Sequence, residues 1–226
     1  MTNSCRALRI AEQIRYDIWQ AIDRHPFLEE FRSRRLNVAE LRRFASQWYL
    51  TVKAQRAFPS YSTDDAMRSK IINILSEYHG TGASMNVSAR LLTRFLASLD
   101  LCAADYDDDA QRIDAVRHFA ESTRALWTHS SHAAAFGVHF ALAVAATLMH
   151  DAFAQGVIRS GVRADGEYFW YHQTAEPQHP DSLTDAFACI TDISVSPDDV
   201  RTGATAAKWQ ILALLDGLYL ATFAEQ

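Results

Sequence analysis

The sequence predicts an all-α fold, on three observations. Apolar residues recur at helical spacing through almost every segment of the 226-residue chain. Only 8 Gly and 5 Pro are present, too few to punctuate many short strands. Helix start signals recur along the chain, in Asn37-Val38-Ala39-Glu40, Ser62-Thr63-Asp64-Asp65 and Ser196-Pro197-Asp198-Asp199. Residues 190–195 alternate weakly in the manner of a strand. With no internal repeat, low-complexity tract or linker, residues 1–226 are expected to form a single helical domain.

Taken in order, residues 5–24 carry Leu8, Ile10, Ile14, Ile18, Trp19 and Ile22 in one stripe, ended by His25-Pro26. The capping-box pattern at Asn37 opens a helix through Phe44, Trp48 and Val52 that stops near Phe58-Pro59. Ser62 to Asp65 opens the next, with Met67, Ile71, Ile74 and Tyr78 on its apolar face and Gly80 past its end. A loop over 80–84 leads to a helix through Leu91, Leu92, Phe95 and Leu96. The acidic run Asp105 to Asp109 suits a helix N-terminus, so a helix is expected from about Ala110 to Trp127. Ala133 to Val157 is apolar and Ala-rich but holds His139, His150 and Asp151. It reads as a buried central helix rather than a membrane span. Arg163 to Gly166 marks a turn before a helix beginning near Tyr168. Pro197 and the acids after it start a last helix through Ala204, Trp209, Leu212, Leu215 and Leu218.

Composition narrows the function. The formal net charge is −5, which leaves no basic surplus to neutralise phosphates and argues against a nucleic-acid partner. Arg32, Arg34 and Arg35 cluster at what reads as a solvated helix end. Cys5, Cys102 and Cys189 are far apart and odd in number, neither a disulfide framework nor a zinc signature. They read as small hydrophobes in a reducing cytoplasm. Arg6, Arg9 and Arg15 interrupt what would be the apolar core of a signal peptide. No membrane association is expected.

The richest chemistry lies in Tyr168-Phe169-Trp170-Tyr171-His172-Gln173-Thr174-Ala175-Glu176-Pro177-Gln178-His179. Read as helix, it puts His172, Glu176 and His179 at i, i+4 and i+7 on one stripe. Two imidazoles and a carboxylate on one face suit a first-row transition metal such as iron. The aromatic run implies that the helix is largely buried, and a buried row of polar groups needs a common partner. Pro177 removes one backbone donor and biases Glu176 away from helical geometry, which would move His179 relative to His172.

These blocks, together with His25-Pro26-Phe27-Leu28, the run Leu41 to Tyr49, Asn73 to Gly80, Leu91 to Leu96 and Asp199 to Ala204, resemble the haem-oxygenase-like superfamily. Within it, the chain looks like the iron-dependent oxidases and oxygenases related to the chlamydial para-aminobenzoate-synthesis protein. More distantly it resembles the thiamin-salvage hydrolases and the cofactorless pyrroloquinoline-quinone synthase. The resemblance covers most of the chain and implies a bundle of about seven or more helices around a central site. It implies iron ligands at His172, Glu176 (where the family usually has Asp), His179 and Glu77. The family's further His and Glu fall on Ser88 and on Ala143 or Val144, which cannot replace them. Four ligands would hold one Fe(II) more readily than two. His139, four residues before Ala143 on the same helix face, is the candidate replacement ligand. His150 carries less weight, because Asp151 beside it reads as a helix end reaching solvent.

The aromatics Trp48, Tyr49, Phe140, Phe169, Trp170, Trp209 and Tyr219 sit at helical spacing and read mostly as core. Of these, Trp48, Tyr49 and Phe140 are candidates to line a pocket, with Gln47 and Tyr171 as its polar members. The expected function is therefore a non-haem iron, O2-dependent oxidase or oxygenase acting on a small organic substrate. A metal-free acid–base enzyme of the same fold, or a non-catalytic binding protein, is the alternative. The fold implies a homodimer.

Overall fold

The computed structural model describes residues 3–55, 87–161, 166–175, 184 and 196–224. These form α1 (Asn3–Ile22), α2 (Pro26–Ser33), α3 (Val38–Gln55), α4 (Val87–Ser98) and α5 (Ala103–Tyr106), followed by a 3₁₀ turn (Asp109–Gln111). Then come α6 (Asp114–His129), α7 (His132–Ser160), α8 (Glu167–Ala175) and α9 (Pro197–Phe223). No strand occurs among the described residues. The expected helix over 62–78 and the strand candidate at 190–195 lie outside them.

The Ala-rich helix is the axis of the fold. α7 is packed by α1, α2, α6, α8 and α9, and 72% of its most apolar window is buried inside the protein. It is long and apolar enough to cross a membrane, but its neighbours already cover it. Ser131 Oγ accepts the Ala134 N–H at its start, and Gly161, at φ +66°, ends it in the left-handed region. Asp151 therefore marks no helix end. α9 lies along α7 with almost no side-chain spacer where they cross. A Cβ on Gly137 would stand 1.9 Å from the Val200 carbonyl oxygen, and one on Gly203 would stand 1.9 Å from that of Ala134. Only glycine allows the two backbones to approach so closely.

The capping box at α3 forms as expected. Asn37 Oδ1 accepts the Glu40 N–H at 2.9 Å, and Glu40 Oε2 accepts the Asn37 N–H at 2.9 Å. Ser196 Oγ accepts the Asp199 N–H at the start of α9. The acidic run works differently from the expectation. Asp105 caps α5 through the Cys102 N–H, Asp108 caps the 3₁₀ turn, and α6 begins only at Asp114. Cys102 is exposed at this cap and is not a core hydrophobe. The arginine cluster is a set of tethers: Arg32 bonds Asp23, Arg34 pairs with Glu30 and Glu40, and Arg35 donates to the Ser160 carbonyl. Trp170 and Trp209 lie at the surface, 48% and 62% exposed, and do not belong to the core.

His25-Pro26 ends one helix and begins the next. Pro26 occupies the first helical position of α2, where its missing N–H costs nothing. His25 is the N-cap: its Nδ1 accepts the Phe27 N–H at 3.2 Å, and its Nε2–H donates to Asp216 on α9 at 3.1 Å. Burial holds its pKa below the ordinary 6.5, against the opposing pull of Asp216. The unfolded chain then binds the extra proton, so this cap stabilises the fold above pH 6.5 and the contribution fades as pH falls below it. We expect the urea midpoint to drop between about pH 7.5 and about pH 5.5 more steeply in the wild type than in His25→Asn, which keeps a capping side chain without titrating. Equal slopes would remove His25 from the account.

Candidate functional site

Where α8 docks on α7 and α4, its inner face carries Tyr168, Phe169 and His172, all buried. The helix is nine residues long, and its seat comes from this face and from the Arg94–Glu167 ion pair (2.8 Å) to α4. His172 is 4% exposed and His150, on α7, is 5% exposed. Their imidazoles stack: the ring centroids are 4.4 Å apart and the planes differ by 13°. One residue further along each helix, Gln173 Nε2 donates to Asp151 Oδ1 at 3.0 Å, and Gln155 donates to the other Asp151 oxygen at 2.8 Å. The two dipeptides His150-Asp151 and His172-Gln173 thus pair side by side, with imidazoles inward and an amide–carboxylate bond beside them.

Aromatic rings enclose the pair. Trp48 stands edge-on to His150 at 5.5 Å, and Tyr168 packs against both rings, at 5.7 Å from His150 and 4.6 Å from His172. Phe153 and Phe169 also border His150, at 6.5 Å and 6.1 Å, and Tyr171, half-buried, lies 5.3 Å from His172. Trp48 Nε1 is buried with no hydrogen-bond partner among the described residues. Of the candidate pocket residues, Trp48 and Tyr171 stand beside the imidazoles.

The other candidates go elsewhere. Gln47 donates to the Gln111 carbonyl and accepts the Ile113 N–H, so both halves of its amide pin the segment before α6. Tyr49 turns toward Tyr106, 4.6 Å away, and its hydroxyl engages Asp107; burial and then the Asp107 charge raise its pKa. His139, 7% exposed, faces Trp127 at 5.9 Å and lies three turns before His150. Eleven residues of helix separate them by roughly 16 Å along the axis, too far for His139 to share an ion with His172. Phe140, fully buried, sits beside it at that same distant level of α7. Near His139, Trp127 Nε1 and Thr123 Oγ1 are buried one turn apart without a partner among the described residues. An open hollow of about 470 Å³ between α1 and α9, bordered by Tyr16 and Arg201, includes neither imidazole.

Glu77, Glu176 and His179 lie outside the described residues, and Ser88 lies in α4 with its side chain outside them. Among the described residues no three His, Cys, Asp or Glu side chains are gathered so as to hold a metal. His172 alone represents the expected ligand set there. Its chemistry fits a first-row ion: a buried imidazole boxed by aromatic rings. His150 does not join it as a co-ligand in this arrangement. A metal sits in the plane of each imidazole it binds, about 2 Å from nitrogen, and one ion cannot lie in two parallel stacked planes. Asp151 beside His150 suggests a helix end reaching solvent, yet α7 runs on to Ser160 and His150 is buried. The signal for its burial is its place inside the long Ala-rich run.

No family model and no curated protein matches the chain. Among solved structures it is similar to a TenA homologue from P. horikoshii OT3, with a TM-score of 0.66 at 14% identity, covering 98% of this chain and 100% of that one. It is also similar to a TenA homologue from Pseudomonas syringae pv. tomato str. DC3000, with a TM-score of 0.66 at 12% identity, covering 96% of this chain and 95% of that one. Both are TenA homologues rather than the iron-dependent oxidases that head the sequence resemblance. At such identities the likeness speaks to architecture, and there it agrees with the helices above: the chain has an all-α, haem-oxygenase-like fold.

Proposed function

We propose that this chain is an enzyme acting on a small organic molecule at the His150–His172 centre, with one ferrous ion held by His172 together with Glu77, Glu176 and His179. The observation that carries the reading is His172 itself. It is the first member of the His172/Glu176/His179 stripe, and its ring is buried in an aromatic box against the central helix. Iron, when bound, supplies redox chemistry with O2 that side chains lack. The chain's own contribution is to present the imidazole, exclude water with Trp48, Tyr168 and Phe153, and leave an apolar wall for the substrate.

A second reading has its own support. Two imidazoles in direct contact can hold and pass a proton without any metal, and the fold is similar to those of two TenA homologues. In that case the enzyme belongs with acid–base catalysts such as the thiamin-salvage hydrolases.

Ferrous iron added without oxygen separates the two. The wild type is expected to retain one iron per chain after desalting. His172→Ala is expected to lose affinity by at least about 100-fold, with a melt lowered by the cavity its buried ring leaves. A wild type that retains no iron rejects the metal reading and leaves the acid–base one. Equal iron in both proteins removes His172 from the ligand set.

A further inference from the structure

We infer that His150 is a positioning residue for His172: its stacked ring fixes the plane in which the His172 nitrogens are presented. The inference rests on His172 being the working imidazole of the proposed site. It starts from an asymmetry between the two helices. Among the described residues, α7 is long, central and packed on many sides, whereas α8 (Glu167–Ala175) packs on α7 and α4. The ring of His172 therefore takes its orientation from what it lies against, and the closest parallel surface is His150, at 4.4 Å and 13°.

His150 is itself held. Trp48 from α3 meets it at 83°, Phe153 one turn along α7 at 88°, and Tyr168 from α8 at 76°. Rings that abut it at steep angles prevent it from tilting about its own bonds, as edge-to-face contacts do. The hydrogen bond from Gln173 to Asp151, at 3.0 Å, fixes the two helices one residue further along, so the imidazoles are kept level. Rigidity thus passes from the core through His150 to His172. The ring face of His150 gives His172 support of the kind that an outer-shell partner gives a ligand.

The stack makes the flat shape of His150 the quantity to vary. His150→Phe keeps a flat ring of similar placement, and His150→Leu fills the volume without a plane. Two readouts follow, neither of them activity. In the metal-free wild type, nuclear Overhauser contacts between the two imidazoles and upfield-shifted His172 ring protons are expected. The shift should persist in His150→Phe and disappear in His150→Leu. With cobalt(II) as probe, His150→Phe is expected to bind within about threefold of the wild type, and His150→Leu about 10- to 100-fold more weakly, with altered visible bands.

The inference is overturned if the wild type lacks the ring-to-ring contacts, or if His150→Leu leaves the His172 signals unchanged. It is also overturned if His150→Phe loses cobalt as completely as His172→Ala, which would make His150 a ligand. A wild type that binds no cobalt rejects the metal reading alone, because the proton shifts still report the positioning.

Discussion

Gly137→Ala is expected to cost the fold roughly 3 kcal/mol or more, the upper end of what overpacking does. The added methyl would stand 1.9 Å from the Val200 carbonyl oxygen, 2.8 Å from its carbon and 3.0 Å from the Ala204 nitrogen. All three atoms are backbone, so no side-chain rotation relieves the clash. The α7–α9 pair would have to separate, loosening the most extensive helix contact among the described residues. Alanine's better helix propensity returns only about 1 kcal/mol. For a chain of this size the net loss, roughly 2 kcal/mol or more, corresponds to a melting temperature lower by at least roughly 4–8 °C. Gly203→Ala should behave alike, because its methyl would meet the Ala134 carbonyl. Gly166→Ala is the control, since its new methyl would make only ordinary contacts, the nearest at 3.4 Å to Trp170. A Gly137→Ala protein that melts with the wild type would refute the tight crossing.

That crossing was only partly legible in the sequence. The Ala-rich run announced a buried central helix, and the Ser-Pro-Asp-Asp start announced α9, because both signals are local: periodicity and capping involve neighbours within a turn or two. Which glycines face a second helix is a tertiary fact with no local mark. The same division explains the site. Trp48 and Tyr171 belong to helical runs whose aromatic stripes imply burial, and both flank the imidazoles. Gln47 and Tyr49 lie on the same helix as Trp48 but about 100° to either side, so each meets a different neighbour. His150 was passed over because Asp151 resembled a solvent-reaching helix end. In the fold, that carboxylate is satisfied by Gln155 on its own helix and by Gln173, 22 residues away on α8. A polar group whose partner arrives from a distant helix cannot be told from a solvated one by sequence pattern.

The second large effect is expected at Phe153, where fold and site meet. Its ring lies 4.7 Å from Phe44, 4.9 Å from Phe31, 5.0 Å from Trp48 and 6.0 Å from Phe169, and it borders His150. It is fully buried, and the rings around it come from α2, α3, α7 and α8. Phe153→Ala removes the common centre of that cluster, and edge-to-face contacts at 61° and 71° vanish with it. The expected loss is about 3–5 kcal/mol, the transfer of a phenyl group plus the cavity it leaves. Phe153→Leu, which refills most of the space, should lose less than half of that. Trp48 and His150 would then border a void, so in Phe153→Ala the restraint on His150 from its own helix disappears while the stack itself remains. The His172 ring protons should accordingly broaden in Phe153→Ala and stay sharp in Phe153→Leu. Denaturation midpoints and those resonances, measured on the same two proteins, check both halves. A Phe153→Ala protein that is strongly destabilised yet keeps sharp His172 signals would show that the core holds the fold without holding the site.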